Sequence, residues 1–223
     1  SYLWYGGGLK KDYSKASLLQ KKTSLRFNNL LEIIAKEKPK MRIRFSTSNP
    51  QDMSDEVIEV ISKYPNICKH IHLPVQSGSN KILKKMNRQH TREEYLHLIT
   101  KIKNKIPDCS ISHDIITGFP SENNEDHLDT LNLMDSIKYE YGYMFKYSER
   151  PGTLAQKKFI DNVPMEIKNI RLNEIIFKQK NHSYFRNQQY LNKIVVVLIE
   201  KESKKSDEFW SGRTTQNTVV VFH

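Results

Sequence analysis

Four sets of polar or glycine-containing residues recur along the chain: Ser46-Thr47-Ser48-Asn49, Gln76-Ser77-Gly78-Ser79, Thr117-Gly118-Phe119-Pro120 and Tyr147-Ser148-Glu149-Arg150. Each follows a run that reads as a strand, and parallel α/β folds bind ligands beyond the carboxyl ends of their strands. A turn or helix cap accounts for any one set alone; four in succession point to a shared site. Gln76 and Ser77 offer donors and acceptors. Asp114 presents a carboxylate to hydroxyl or amino groups, or serves as a structural partner for Arg44 or Lys146. Gly118 permits close backbone approach. Tyr147 can stack or hydrogen-bond. Arg150 can make a bidentate contact with a carboxylate or phosphate, or a surface ion pair. His70, His72 and His113 lack metal-ligand spacing and read as satisfied polar side chains. Cys68 and Cys109 are the chain's 2 cysteines. They exclude a disulfide scaffold and a cysteine-ligated metal site complete within the chain, and both are expected to be buried and inert.

The elements that must position these sets can be read from hydrophobic spacing. Residues 17–38 have helical periodicity. Residues 41–46 alternate apolar and basic, as in a strand. Ser54 precedes a helix whose first turn carries Asp55 and Glu56. Residues 69–75 are strand-like, with a short helix over 81–86. Thr91 and Glu94 form a capping box that opens a helix to about Lys105. Residues 110–116 form the next strand, an acidic helix covers 124–138, and 141–147 is a fourth strand. Strand starts near 41, 69, 110 and 141 are spaced as βαβ units, which implies a parallel sheet with helices outside. Pro164 opens a long polar helix toward Asn187. Beyond it, 194–199, the charged stretch 200–208 and 219–222 read as antiparallel strands of a small β module. Both ends are expected to be cuts in a longer chain: residues 1–8 read as a loop leaving a strand, and the last residue follows a strand-like run.

The 223 residues carry 36 Lys+Arg against 25 Asp+Glu, a formal charge of +11. A solvated basic surface and a polyanion-binding surface both remain open on charge alone. No apolar run reaches the roughly 18 residues of a membrane span, and no secretory leader is visible. An integral membrane protein is therefore excluded, and a cytoplasmic location is expected.

Several motifs, in order, resemble the radical S-adenosylmethionine methylthiotransferases. They are His72-Leu73-Pro74-Val75-Gln76-Ser77-Gly78-Ser79, Met86-Asn87-Arg88, Asp114-Ile115-Ile116-Thr117-Gly118-Phe119-Pro120 and Tyr147-Ser148-Glu149-Arg150-Pro151-Gly152-Thr153. Within the family, Ser46 to Asp55 and Gly212-Arg213-Thr214-Thr215-Gln216-Asn217 resemble the branch that modifies isopentenyl-adenosine beside the tRNA anticodon. Sister enzymes acting on threonylcarbamoyl-adenosine or on a ribosomal protein are the nearest alternative. A non-catalytic RNA-binding module is the alternative of another class.

The resemblance implies an α/β fold: a partial parallel (β/α) barrel of the radical SAM type over 1–190, then the start of a small all-β TRAM-like domain over 191–223. It implies S-adenosylmethionine as cofactor, held by Gln76, Ser77, Asp114, Gly118 and Tyr147. Arg88 and Arg150 would orient the substrate, and Lys204, Lys205 and Arg213 would contact RNA. Two 4Fe-4S clusters belong to the family's complete enzymes, with a tRNA anticodon loop as substrate and a separate electron donor. Their ligating cysteines match nothing here, so the fragment alone is assigned no catalytic residue and expected to be inactive; the parent is expected to be a monomer. Where the family has His and Gly, this chain has Asn49 and Ser121, and Ser121 is expected to disfavour positive φ. Anaerobic reconstitution with iron and sulfide should leave this chain colourless; stoichiometric four-iron content by iron analysis would overturn that expectation.

Overall fold

The computed structural model describes residues 26–46, 49–204 and 206–223. The chain divides into two units. One comprises the described residues up to 70 together with 102–109 and 196–223; the other comprises 71–101 and 110–195.

In the first unit, helices α1 (Phe27–Glu37) and α2 (Asp55–Lys63) pack through Leu31, Ala35, Val57 and Ile61, all buried. Ser54 is the N-cap residue of α2, but its side chain makes no capping bond to the backbone. It bonds the Glu56 carboxylate instead, holding that carboxyl below its ordinary range. The strand expected over 41–46 is reduced to a single parallel bridge between Ile43 and Ile67. The reason lies in its partner. A turn bonds Ile67 N–H to the Tyr64 carbonyl, leaving Asn66 and Cys68 to bracket Ile43 with bonds of 2.8 and 2.9 Å. The tail forms an antiparallel sheet in the order β4 (Leu198–Ser203), β5 (Ser206–Arg213), β6 (Val219–Phe222). β4 begins at Leu198, not Ile194, and most of the charged stretch is strand. Arg42 donates to the Arg213 carbonyl (2.5 Å), and Glu200 bridges Arg44 (2.6 Å) and Arg213 (3.3 Å). Cys68 and Cys109 are both buried, and neither is in a disulfide.

The second unit is built on a three-stranded parallel sheet of β1 (His70–His72), β2 (Ser110–Thr117) and β3 (Tyr141–Lys146), in that order. Around it lie α3 (Asn80–Lys85), α4 (Arg92–Lys105), α5 (Asn124–Ile137), α6 (Leu154–Lys158) and α7 (Met165–Gln188). The capping box at α4 forms as expected: Thr91 N–H donates to Glu94 (2.8 Å) and Glu94 N–H to Thr91 Oγ1 (3.2 Å). β2 is buried along nearly its whole length, as suits a parallel strand covered on both faces. Ile111 and Ile115 of β2 are buried, as are Ile71, Leu73, Val75, Leu133, Met134 and Ile175 from other parts of this unit. Two buried tyrosines tie these layers together: Tyr95 donates to the Leu73 carbonyl (2.7 Å), and Tyr139 donates to Tyr95 (3.2 Å). No helix among the described residues is long and apolar enough to cross a membrane.

His113 sits fully buried in β2, with Nε2 2.8 Å from Gln179 Oε1 on α7 and its ring over Tyr139. Burial pulls its pKa from 6.5 down to about 4. The unfolded chain therefore binds this proton first, so the stabilising contribution is complete above about pH 6.5 and falls as pH drops toward 4. From pH 8 to pH 5 this one group should cost about 2 kcal/mol of stability. Urea midpoints across that range should show a shallower slope in His113→Gln than in the wild type.

Candidate functional site

The carboxyl ends of the three parallel strands open onto a cavity of about 1060 Å³. Gln76 after β1, Asp114 and Ile116 from β2, and Phe145, Lys146 and Tyr147 from the end of β3 line it. α3 and its C-terminus add Lys81, Lys84, Lys85, Met86, Asn87 and Arg88; Arg150 and the α6 segment add the remaining wall. Asp114 is the single carboxylate in this lining.

Gln76 adopts φ 74° while its backbone stays in the ladder: its N–H donates to the Asp114 carbonyl (2.8 Å) and its carbonyl accepts from Ile116 N–H (2.9 Å). A non-glycine residue in that region is held there by its surroundings, a pattern common at ligand clamps. Its side-chain amide has no hydrogen-bond partner among the described residues and faces the cavity. The next residues have other work. Ser77 Oγ accepts from Ser79 N–H (3.2 Å) and lies 3.4 Å from Thr130 Oγ1, while Gly78 N–H donates to Thr130 Oγ1 (2.9 Å). Ser79 caps α3 and donates to Asp126 on α5 (2.6 Å). Ser77 is thus a buckle to α5, outside the cavity lining.

At the other end of α3, Asn87 takes φ 56°. Its N–H bonds the Lys84 carbonyl (3.1 Å) and Arg88 N–H bonds the Leu83 carbonyl (2.9 Å), the paired bonds of a Schellman stop. That stop delivers Arg88 to the cavity, half-buried. Burial lowers the Arg88 pKa, and the Asp114 charge acts in the opposite direction. Asp114 also lies 3.4 Å from His72 Nε2, while His72 Nδ1 is 2.8 Å from Ser112 Oγ. The partners expected for it are engaged elsewhere: Arg44 with Glu200, and Lys146 with Asn169 at 3.0 Å.

Tyr147 is buried edge-to-face on Phe119, centroids 5.0 Å apart, within a cluster that includes Ile82 and Phe159. Burial, then Glu149 and Asp161, raise its pKa. Gly118 permits a close approach, as expected, but the group that approaches is Lys168. At φ +72° a Cβ would overlap the Lys168 Cγ, and the Gly118 N–H is used by Glu122 Oε1 (2.8 Å). Ser121 does adopt positive φ, 67°, against expectation. Asn162 Oδ1 accepts its N–H (2.8 Å) and Lys85 donates to its hydroxyl, so tertiary bonds hold the disfavoured conformation.

The structure therefore brings Gln76, Asp114, Tyr147, Arg88 and Arg150 to one cavity, and gives Ser77 and Gly118 packing duties beside it. Lys204 is exposed on the tail, Arg213 is engaged with Glu200 and Asn217, and Lys205 lies outside the described residues. Lys84 and Lys158, neither singled out from the sequence, also face the cavity; neither has an ion-pair partner among the described residues. Lys81, Lys84, Lys85 and Arg88 stand at i, i+3, i+4 and i+7, a cationic stripe legible from spacing alone.

A model of the Radical SAM superfamily matches residues 13–134. The chain belongs to that superfamily. Among radical SAM enzymes of known structure, coproporphyrinogen III oxidase from Escherichia coli shares its fold, with a TM-score of 0.51 and 20% identity over 60% of this chain and 31% of that one. Two curated relatives are closer in sequence. The tRNA-2-methylthio-N(6)-dimethylallyladenosine synthase of Christiangramia forsetii is 61% identical over 222 residues, 100% of this chain and 46% of its own. The protein of the same name in Flavobacterium johnsoniae is 60% identical over the same shares. The chain thus spans about half the length of the curated relatives it matches. The radical SAM match includes β1, β2 and α3 but ends before β3, so Tyr147 and Arg150 lie beyond it.

Two glycines of this radical SAM chain separate steric from dihedral constraint. Gly118→Ala should cost about 2–4 kcal/mol, because positive φ and the Lys168 stem act together. Gly152→Ala, at φ +80° with nothing within 4 Å, should cost about 1 kcal/mol. Urea unfolding of the two variants checks the difference.

Proposed function

We propose that this chain is the barrel portion of an enzyme that adds a methylthio group to C2 of isopentenyl-adenosine beside the tRNA anticodon. The observation that carries the reading is the cationic, apolar-walled cavity at the strand ends of a chain 61% identical along its whole length to a synthase of that name.

S-adenosylmethionine combines a flat adenine, a ribose diol and a zwitterionic methionine, and the cavity residues suit each part. Ile116, Phe119 and Phe159 offer apolar contact to an adenine face; the uncommitted Gln76 amide and Asp114 suit hydroxyl and ammonium groups; Arg88 or Arg150 suits a carboxylate. When bound, the cofactor supplies the methyl group and the radical chemistry that activates the adenine ring. The chain's own residues bind, orient and exclude water. An iron–sulfur cluster does not fit them, since no cysteine lines the cavity and both thiols are buried elsewhere. Among the described residues no cluster of His, Cys, Asp and Glu suits a metal ion. We therefore assign the cluster ligands, and the docking of an electron donor, to other parts of the whole protein.

Lys84, Arg88, Arg150 and Lys158 are the candidates for RNA phosphates at the cavity mouth. Lys204 and Lys205 are candidates on the tail, whereas Arg213 is better explained as a clasp on Glu200. The same reading makes the protein a cytoplasmic monomer divided near residue 190.

In the complete enzyme, Gln76→Ala and Asp114→Ala should each weaken S-adenosylmethionine binding by about 1–3 kcal/mol with cluster content intact. Wild-type affinity by calorimetry in both would remove them from the site. Neutralising Lys84 and Lys158 together should weaken tRNA binding and reduce the log–log salt slope by about 0.7–0.9 per lost phosphate contact. An unchanged slope across a salt series would return both lysines to the solvated surface.

A further inference from the structure

α7 buries Lys168, Arg171, Gln179 and His182 alongside Ile175. Arg171 pairs with Glu122 on the β2–α5 connection at 2.9 Å. The partner of Lys168 lies elsewhere. Its ammonium is 2.6 and 2.7 Å from the carboxylate oxygens of Asp161, on the exposed stretch after α6. It also donates to the Tyr147 carbonyl at 3.3 Å and lies 5.2 Å from the centroid of that ring. Its stem runs across Gly118, where a side chain would displace it.

The stretch held by Asp161 is otherwise lightly seated. α6 buries none of its residues, and Ile160 is 87% exposed. Yet Leu154, Ala155, Lys158 and Phe159 form one wall of the cavity. Its other ties are the Phe159 ring on Phe119 (5.9 Å), Lys85 over Phe159 (5.6 Å) and the bond from Ser121 N–H to Asn162 (2.8 Å). Among the described residues only the Lys168–Asp161 tie of this stretch joins opposite charges, and its cation is sealed from water, so releasing Asp161 leaves a buried ammonium short of a counter-ion.

We propose that Lys168 is a positioning residue: through Asp161 it latches residues 153–162 as the movable wall of the cavity, and through the Tyr147 carbonyl it couples that wall to the end of β3. The latch goes beyond the functional reading, because it concerns the wall whatever ligand the cavity takes. A strap with few buried contacts belongs to the low-stability part of a structure, where local opening is set by a few bonds. Opening widens the cavity mouth; closing seats Phe159 and fixes Tyr147 together.

Hydrogen–deuterium exchange read by mass spectrometry on the ligand-free 223-residue protein tests this, with Asp161→Asn, Asp161→Glu and Lys168→Met beside the wild type. Peptides within 153–162 should exchange roughly tenfold faster or more in Asp161→Asn and Lys168→Met, while peptides of β2 and α5 keep wild-type rates. Asp161→Glu, which retains the charge, should restore slow exchange. Unchanged exchange over 153–162 in Asp161→Asn overturns the latch. So does acceleration spread equally over β2 and α5, which would make the pair a general support of the fold, and so does exchange in Asp161→Glu as fast as in Asp161→Asn. If Lys168→Met fails to fold, the surface variants at Asp161 decide the matter without it.

Discussion

Everything at the cavity depends on the backbone ladder of β2. A parallel strand covered on both faces must satisfy its amides sideways, and β2 does so with the chain on either flank. On one side Asp114 and Ile116 clamp Gln76; on the other, the Thr117 carbonyl accepts from Tyr147 N–H at 2.8 Å. These bonds fix three strand ends in register, so an amide, a carboxylate and a phenol from distant positions in sequence share one opening. The positive φ at Gln76 is tolerated because bonds on both sides of the residue leave it no alternative.

The second determinant is the set of charges that α7 buries against the β2–α5 connection and the strap. Glu122 shows how such a group is kept. Burial alone raises its pKa, and the Gly118 N–H, Arg171 and Thr117 act against that rise. Arg171 in turn reaches Asn124 at 2.9 Å. Each buried cation on α7 therefore arrives with its counter-ion from a different loop. Replacing one partner alone is costly even where the intact pair adds little net stability. Loops that would otherwise lie on the surface are thereby tied to a single helix.

The cavity itself combines two environments. Met86, Ile116, Phe119 and Phe159 make an apolar interior, and the α3 stripe, Arg150 and Lys158 make a cationic rim around one carboxylate. A rim of that sign raises the local concentration of anionic ligands and accelerates their approach. The interior favours flat or alkyl groups once they have arrived. Within this lining, seven lysine and arginine side chains stand against the one carboxylate.

The sequence by itself located several helices and their starts, because these depend on neighbours within a few residues: the box at Thr91 and Glu94, the spacing over 124–137, and Pro164 ahead of α7. It also placed Gln76 and Tyr147 at strand ends and Asp114 within a strand, and it carried the motif order that marks a radical SAM chain. It did not determine pairing. The 41–46 run has strand-like alternation, but the turn at Tyr64–Ile67 leaves its neighbour too short to pair further. Nor did local reasoning show that Gly118 is glycine for the sake of Lys168, that Ser121 would hold positive φ, or that Arg213 is engaged with Glu200. Those outcomes were decided by the tertiary structure. Charge, volume and hydrogen-bond demand at each position are satisfied by residues tens of positions away, and one-dimensional spacing carries no record of which distant group will arrive.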